Sequence, residues 1–269
     1  KPQIGTGLVL QINILISGVI ASFAQGGIST LYYAERLYQL PLALFGISIG
    51  TVLLPTLSSL DIKDDLQEIN LILKKSIKIA LLMSVPAAIG LSMLSIPLIS
   101  LIYQHGLFTE LNTAVVAKTL IAFSIGLPAF VLIKIYLPIF YSLGDTENPF
   151  KYSLIAIAVN IILGIFLFPV YGVIGLAMST SFSSWINFFL LINSSNKLKI
   201  SVFSKNFNFS LLKIIFASIF MALSIHICSS LLFGISHFLF VISLILIGIF
   251  IYFLILFLLG VLNKNDIRS

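Results

Sequence analysis

Long runs of apolar residues alternate along this chain with short polar breaks that carry its turn formers. Eight runs cover about 6–24, 28–60, 76–103, 113–142, 150–170, 172–194, 209–233 and 236–262. The breaks include Gln25-Gly26-Gly27, Gln104-His105-Gly106, Gly144-Asp145-Thr146, Pro169-Val170-Tyr171-Gly172 and Gly234-Ile235-Ser236, all rich in helix-ending residues. Most runs exceed about 18 residues, the length at which an apolar stretch reads as a membrane-crossing helix. The alternation of a barrel strand is absent. The pattern predicts an all-α integral membrane protein of about eight transmembrane helices.

Charge adds an orientation. With loops numbered alternately as sides one and two, and the N-terminus on side one, that side holds Lys1, Lys63, Lys74, Lys75, Lys78, Lys151, Lys197, Lys199, Lys205, Lys213, Lys264 and Arg268. The loops of side two hold no Lys or Arg. Under the positive-inside rule side one is the cytoplasm, both ends lie there, and the span count is even. The stretch 61–75 is the longest charged connection and reads as a short helix at the cytoplasmic surface, with 195–208 as a second basic loop near anionic lipid. The +6 net charge therefore reports topology, not nucleic acid. The chain opens on Lys-Pro without a signal-peptide pattern, and reads as a piece of a longer polypeptide or one trimmed before this numbering.

Composition excludes further classes. The residues are 59% apolar and 9% charged, unlike a soluble enzyme. The lone Cys228 allows no intrachain disulfide, and His105, His226 and His237 have no metal-ligand spacing. No phosphate-cradling glycine loop is present, and neither a catalytic pair of carboxylates nor a long loop on side two exists. The expectation is a transporter without cofactor or metal, not an enzyme.

Basic residues inside the spans need a reason. A helix over about Ser29–Leu60 would be about 48 Å long against a hydrocarbon core of about 30 Å, placing Arg36 roughly 10 Å from its periplasmic end. An Arg at mid-membrane costs about 2.5–3.5 kcal/mol, so it either snorkels to the interface or faces a wet cavity. Ser29, Tyr32, Arg36, Gln39, Ala43, Gly46 and Gly50 fall on one helical stripe, which favours the cavity, and Pro41 predicts a kink just past Gln39. Glu35 points about 100° from Arg36 and does not pair with it as an i,i+4 neighbour would. Lys134, between Pro128 and Pro138, is expected near the membrane middle in a discontinuous helix, again a binding-site signal. Lys118 reads as snorkelling. Asn160 and Thr180 are polar leads in the fifth and sixth runs, and bonds between helices explain them equally well.

Residues 29–58 strongly resemble the MurJ (MviN) family of lipid II flippases, through Leu31, Tyr32, Tyr33, Ala34, Arg36, Leu37, Leu40, Pro41, Phe45, Gly46, Gly50, Thr51 and Pro55. Lys134 to Tyr141 with Asp145, Thr146 and Pro149 is similar to a second family stretch. Pro169, Gly172, Gly175 and Ala177 follow a pattern shared more widely among multidrug and polysaccharide-lipid exporters. The resemblance implies fourteen-helix proteins of two six-helix lobes plus an extra pair, with this chain as helices seven to fourteen. Residues 1–194 would be the second lobe, 195–208 a cytoplasmic loop, and 209–269 the extra pair, grooved for an isoprenoid tail, plus a short tail. Its expected partners are lipid II, membrane lipids and the missing first lobe. Arg36 would meet the diphosphate and Lys134 add a point charge, with Gln39, Tyr32 and Glu35 beside them. Gln39 stands where the family carries an acidic residue, and Glu35 where it carries Asp. An exporter of another lipid-linked oligosaccharide or a small drug, or an inactive fragment, stays open at this stage.

Overall fold

A computed structural model describes residues 2–61, 64–197, 200, 205–231 and 236–261. The described residues form helices α1 (Pro2–Ala21), α2 (Gly27–Pro41), α3 (Ser48–Ser58), α4 (Leu66–Met93), α5 (Ser95–Tyr103), α6 (Glu110–Ser142), α7 (Glu147–Tyr171), α8 (Val173–Lys197), α9 (Lys205–Leu231) and α10 (His237–Leu258). A π-helical segment, Leu42–Ile47, joins α2 to α3 without a break. Among the described residues seven helices are long and apolar enough to cross a membrane, Gly27–Ser58 counting as one, and the twenty-residue α1 packs beside them against α7. The chain is thus a multi-pass, all-helical membrane protein.

The longest helix, α6, is the hub. Thr109 caps it, its hydroxyl accepting from the Asn112 N–H at 3.4 Å. Its 33 residues bury side chains on several faces, with α2, α3, α4, α5 and α8 around it. A helix apolar all round belongs in an interior, and α6 has it. Gly172 (φ 58°), three residues past Pro169, turns α7 back so that α8 packs along it.

Helices α9 and α10 pair with each other and dock on α4 and α5. They form their own apolar cluster, in which Ile214, Ala217, Met221, Leu244 and Tyr252 close on Leu82 and Leu94. Hydrogen bonds cross this seam. His237 Nε2 lies 2.7 Å from the Ser100 hydroxyl. The Tyr252 hydroxyl donates to the Leu82 carbonyl at 2.5 Å. Pro86 explains the second bond: lacking an N–H, it orphans the carbonyl four residues back, which is that of Leu82.

Three expectations change. No separate surface helix occupies 61–75, because α4 begins at Leu66 and runs through Pro86 to Met93; Ile62 and Lys63 lie outside the described residues. The single run 76–103 breaks at Leu94, whose ψ of 13° ends α4 before α5 starts. The loop expected over 195–208 narrows, since α8 reaches Lys197 and α9 begins at Lys205. Residues 198–199, 201–204, 232–235 and the tail 262–269 lie outside the described residues.

Candidate functional site

Helix α2 carries most of the site. It runs in the same direction as α6, since Tyr38 packs on Phe123 and Phe130 at ring distances of 4.9 and 5.3 Å, Gly46 abuts Val131, and Gly50 abuts Lys134. Ala34, Leu37 and Tyr38 are the buried face of α2, which turns Tyr32, Arg36 and Gln39 to its open face. There Arg36 Nη2 donates to the Tyr32 hydroxyl at 2.7 Å, and the guanidinium lies 4.4 Å from the centre of the Tyr32 ring. Arg side chains on a helix lean toward its N-terminus, so the i−4 residue is the one Arg36 meets.

Beside this pair a cavity of about 290 Å³ opens between α1, α2, α6 and α8. Glu35, Gln39 and Tyr32 line it from α2, Asn13 and Ser17 from α1, and Thr180 from α8. Its far wall is a hydrogen-bonded chain. Asn160 Nδ2 donates to Asn13 Oδ1 at 2.8 Å, and the Thr180 hydroxyl donates to Asn160 Oδ1 at 3.4 Å. Asn160 is buried, so this chain ties α1, α7 and α8 together with a polar knot inside apolar surroundings. Asn13 and Ser17 join the site from α1, and an Asn inside an apolar run is the one signal of them in the sequence.

The predicted stripe divides at the π segment. Ser29, Tyr32, Arg36, Gln39 and Ala43 are exposed, but Gly46 is buried and Gly50 is pressed on α6. A π turn inserts about one extra residue, which rotates everything after it by about 100° and carries the later glycines off the stripe. They make close helix contact instead of cavity space. Pro41 opens the segment, and the Ser48 hydroxyl donates to the Ala43 carbonyl at 3.1 Å within it.

Lys134 does not lie in a discontinuous helix as its flanking prolines predict. Helix α6 is continuous through Pro128 and Pro138, and Lys134 lies only eight residues, about 12 Å, before its end at Ser142. At about 50 Å, α6 is longer than a 30 Å core, and Lys134 lies about 12 Å beyond its midpoint, within an unbroken helix rather than between two half-helices. Its register beside Gly50 sets it about 20 Å along the axis from Arg36, too far for one diphosphate to touch both in this conformation. The structure therefore groups Tyr32, Glu35, Arg36 and Gln39 and leaves Lys134 apart.

A second cavity is apolar. About 480 Å³ lies between α2, the π segment, α4, α5 and the α9–α10 pair, with Leu40, Phe45, Pro86, Met221, Gly248 and Tyr252 among its walls. Among the described residues no three His, Cys, Asp or Glu side chains converge as metal ligands.

Comparison with known proteins bears on all of this. A family model described as "Lipid II flippase MurJ" matches residues 1–250. The probable lipid II flippase MurJ of Rickettsia prowazekii (strain Madrid E) is 42% identical over 189 residues, covering 70% of this chain and 37% of the relative. That of Rhizobium tropici is 43% identical over 186 residues, covering 69% and 35%. A solved structure, "Lipid II flippase MurJ, inward closed conformation", superposes with a TM-score of 0.80 at 34% identity, over 93% of this chain and 51% of the other. An outward-facing multidrug transporter of the MATE family matches at a TM-score of 0.59 and 15% identity, over 84% of this chain and 52% of the other, a likeness of fold alone. The chain spans little more than a third of these curated relatives and about half of the solved flippase.

Proposed function

Because this chain belongs to the MurJ family of lipid II flippases, we propose that it carries the lipid-linked peptidoglycan precursor from the cytoplasmic to the periplasmic leaflet of the bacterial inner membrane by alternating access. Residues 1–194 act as the second six-helix lobe and 209–269 as the extra pair, with both ends cytoplasmic. The observation that carries the reading is Arg36: a guanidinium on the open face of a membrane helix, held by Tyr32, within the stretch matched by the family.

The chemistry required is electrostatic. Lipid II presents a diphosphate whose charge opposes passage through hydrocarbon, and no covalent bond needs to change. A guanidinium forks two hydrogen bonds onto phosphate oxygens and keeps its charge at any physiological pH. Lys134, toward the Ser142 end of α6, offers a point charge to the same group before it reaches Arg36. Glu35 and Gln39 supply acceptors and donors for the sugar and peptide. The apolar cavity walled by Leu40, Phe45, Pro86 and Tyr252 takes isoprenoid tail, which needs contact surface and no polar partner.

The test uses cells depleted of their own flippase and supplied with this chain behind the N-terminal half of its solved relative. Lipid II reaching an enzyme confined to the periplasm is counted for the wild-type chain and for Arg36→Ala. Restoration by wild type, lost in Arg36→Ala at equal membrane level, is the expected outcome. No restoration by a correctly inserted wild-type chain overturns lipid II as the cargo.

A further inference from the structure

The Arg36 guanidinium is held twice by one residue. Tyr32 accepts a hydrogen bond from Nη2 through its hydroxyl and lies against the guanidinium with its ring. The ring is braced in turn. Tyr33 meets it edge-on at 6.3 Å and 69°, and Tyr33 itself packs on Tyr103 at 4.7 Å and Phe108 at 5.6 Å. A line of aromatic contact thus runs from the Arg to α5 and to the turn that leads into α6. A lone Arg on an exposed helix face samples many rotamers, and each must be given up when a phosphate is gripped. Here the plane of the fork is set before a ligand arrives. One of its five N–H groups is committed to Tyr32, and the four that remain suffice for a two-pronged grip.

We propose that Tyr32 is a positioning residue that acts through Arg36, holding the guanidinium plane so that its free edge receives the ligand's phosphate oxygens. This rests on the reading of Arg36 as the phosphate contact. Ring and hydroxyl contribute separately: the ring by stacking with the delocalised cation, the hydroxyl by fixing rotation within that plane. Tyr32 is half exposed and lies outside the packed core, so its replacement leaves the helix assembly intact.

The experiment is a double-mutant cycle on the purified full chain in lipid nanodiscs, titrated with undecaprenyl diphosphate. Tyr32→Phe retains the ring and is expected to weaken binding about threefold; Tyr32→Leu, losing both contacts, about tenfold, or about 1.4 kcal/mol. In an Arg36→Gln background, Tyr32→Leu is expected to change affinity less than twofold, because there is no guanidinium left to orient. Equal losses in both backgrounds overturn the proposal and make Tyr32 an independent contact or a structural residue. Unchanged affinity in Arg36→Gln alone removes the premise as well, and is told apart because it appears without any change at Tyr32. Thermal unfolding followed through Trp185 fluorescence is expected to be the same in all variants; a shift confined to Tyr32→Leu would identify a structural role instead.

Discussion

Gly50→Ala is expected to destabilise the protein although it adds only a methyl group and improves helix propensity. A Cβ at Gly50 would lie 2.6 Å from the Lys134 carbonyl oxygen and 3.5 Å from its carbon. An ordinary contact begins at 3.4 Å, so α3 and α6 must part by about 0.8 Å, and since both contacts are backbone no rotamer change relieves them. The oxygen is a special one. Pro138 lacks the N–H that would bind the carbonyl of Lys134, and only a residue without a Cβ fits against that oxygen. Overpacking of this kind costs about 1–3 kcal/mol, against a gain of about 0.5–1 kcal/mol from replacing a helical glycine. The net loss of roughly 1–2 kcal/mol lowers the folded-to-unfolded ratio by about 5–30-fold. The assay is thermal unfolding in detergent, read from Trp185, the only tryptophan in the chain. A midpoint lower by about 3–6 °C is expected. Gly90→Ala is the control, because its Cβ meets nothing nearer than the Met221 methyl at 3.9 Å, and it should be neutral or slightly stabilised. If Gly50→Ala unfolds at or above the wild-type midpoint, the close approach of α3 to α6 is not what this account takes it to be.

Other outcomes follow from contacts already described. Tyr252→Phe leaves the carbonyl orphaned by Pro86 without its donor and should cost about 0.5–1.5 kcal/mol by the same unfolding assay, with Tyr252→Phe in a Pro86→Ala background costing less. Asn160→Leu strands Asn13 and loosens α1 from α7; a loss of about 0.6–1.7 kcal/mol is expected, and faster proteolysis near the 22–26 turn would report it. Arg36→Lys should fail in the flipping assay almost as fully as Arg36→Ala, because an ammonium cannot make a planar fork; full activity would show that charge alone suffices.

The helices were legible because an apolar run of membrane length leaves the backbone no alternative to bonding within itself. Arg36, Tyr32 and the polar face of α2 were legible for the same reason: before Pro41 the helix is regular, so spacing gives the face. After it, the π segment changes the residues per turn, and Gly46 and Gly50 cannot be placed by counting. Lys134 failed differently. Pro128 and Pro138 predict breaks, yet α6, packed on α2, α3 and α8, continues through both. Partners distant in sequence, such as Asn13 with Asn160 or Tyr252 with Leu82, are set by which helices lie side by side, and periodicity within one helix does not record that.

The Tyr252–Leu82 bond joins residues 170 positions apart, and this gives it a meaning in time. A ribosome adding about 5–20 residues per second reaches Tyr252 roughly 10–35 s after Leu82. Throughout that interval the Leu82 carbonyl, which Pro86 leaves without a helical donor, waits for its Tyr252 partner. The earlier helices therefore carry an unanswered acceptor on the flank of α4 where α10 will arrive. Arrival of α10 completes the hydrogen bonding of α4 rather than merely leaning on it, so that acceptor is answered only after α10 has been made.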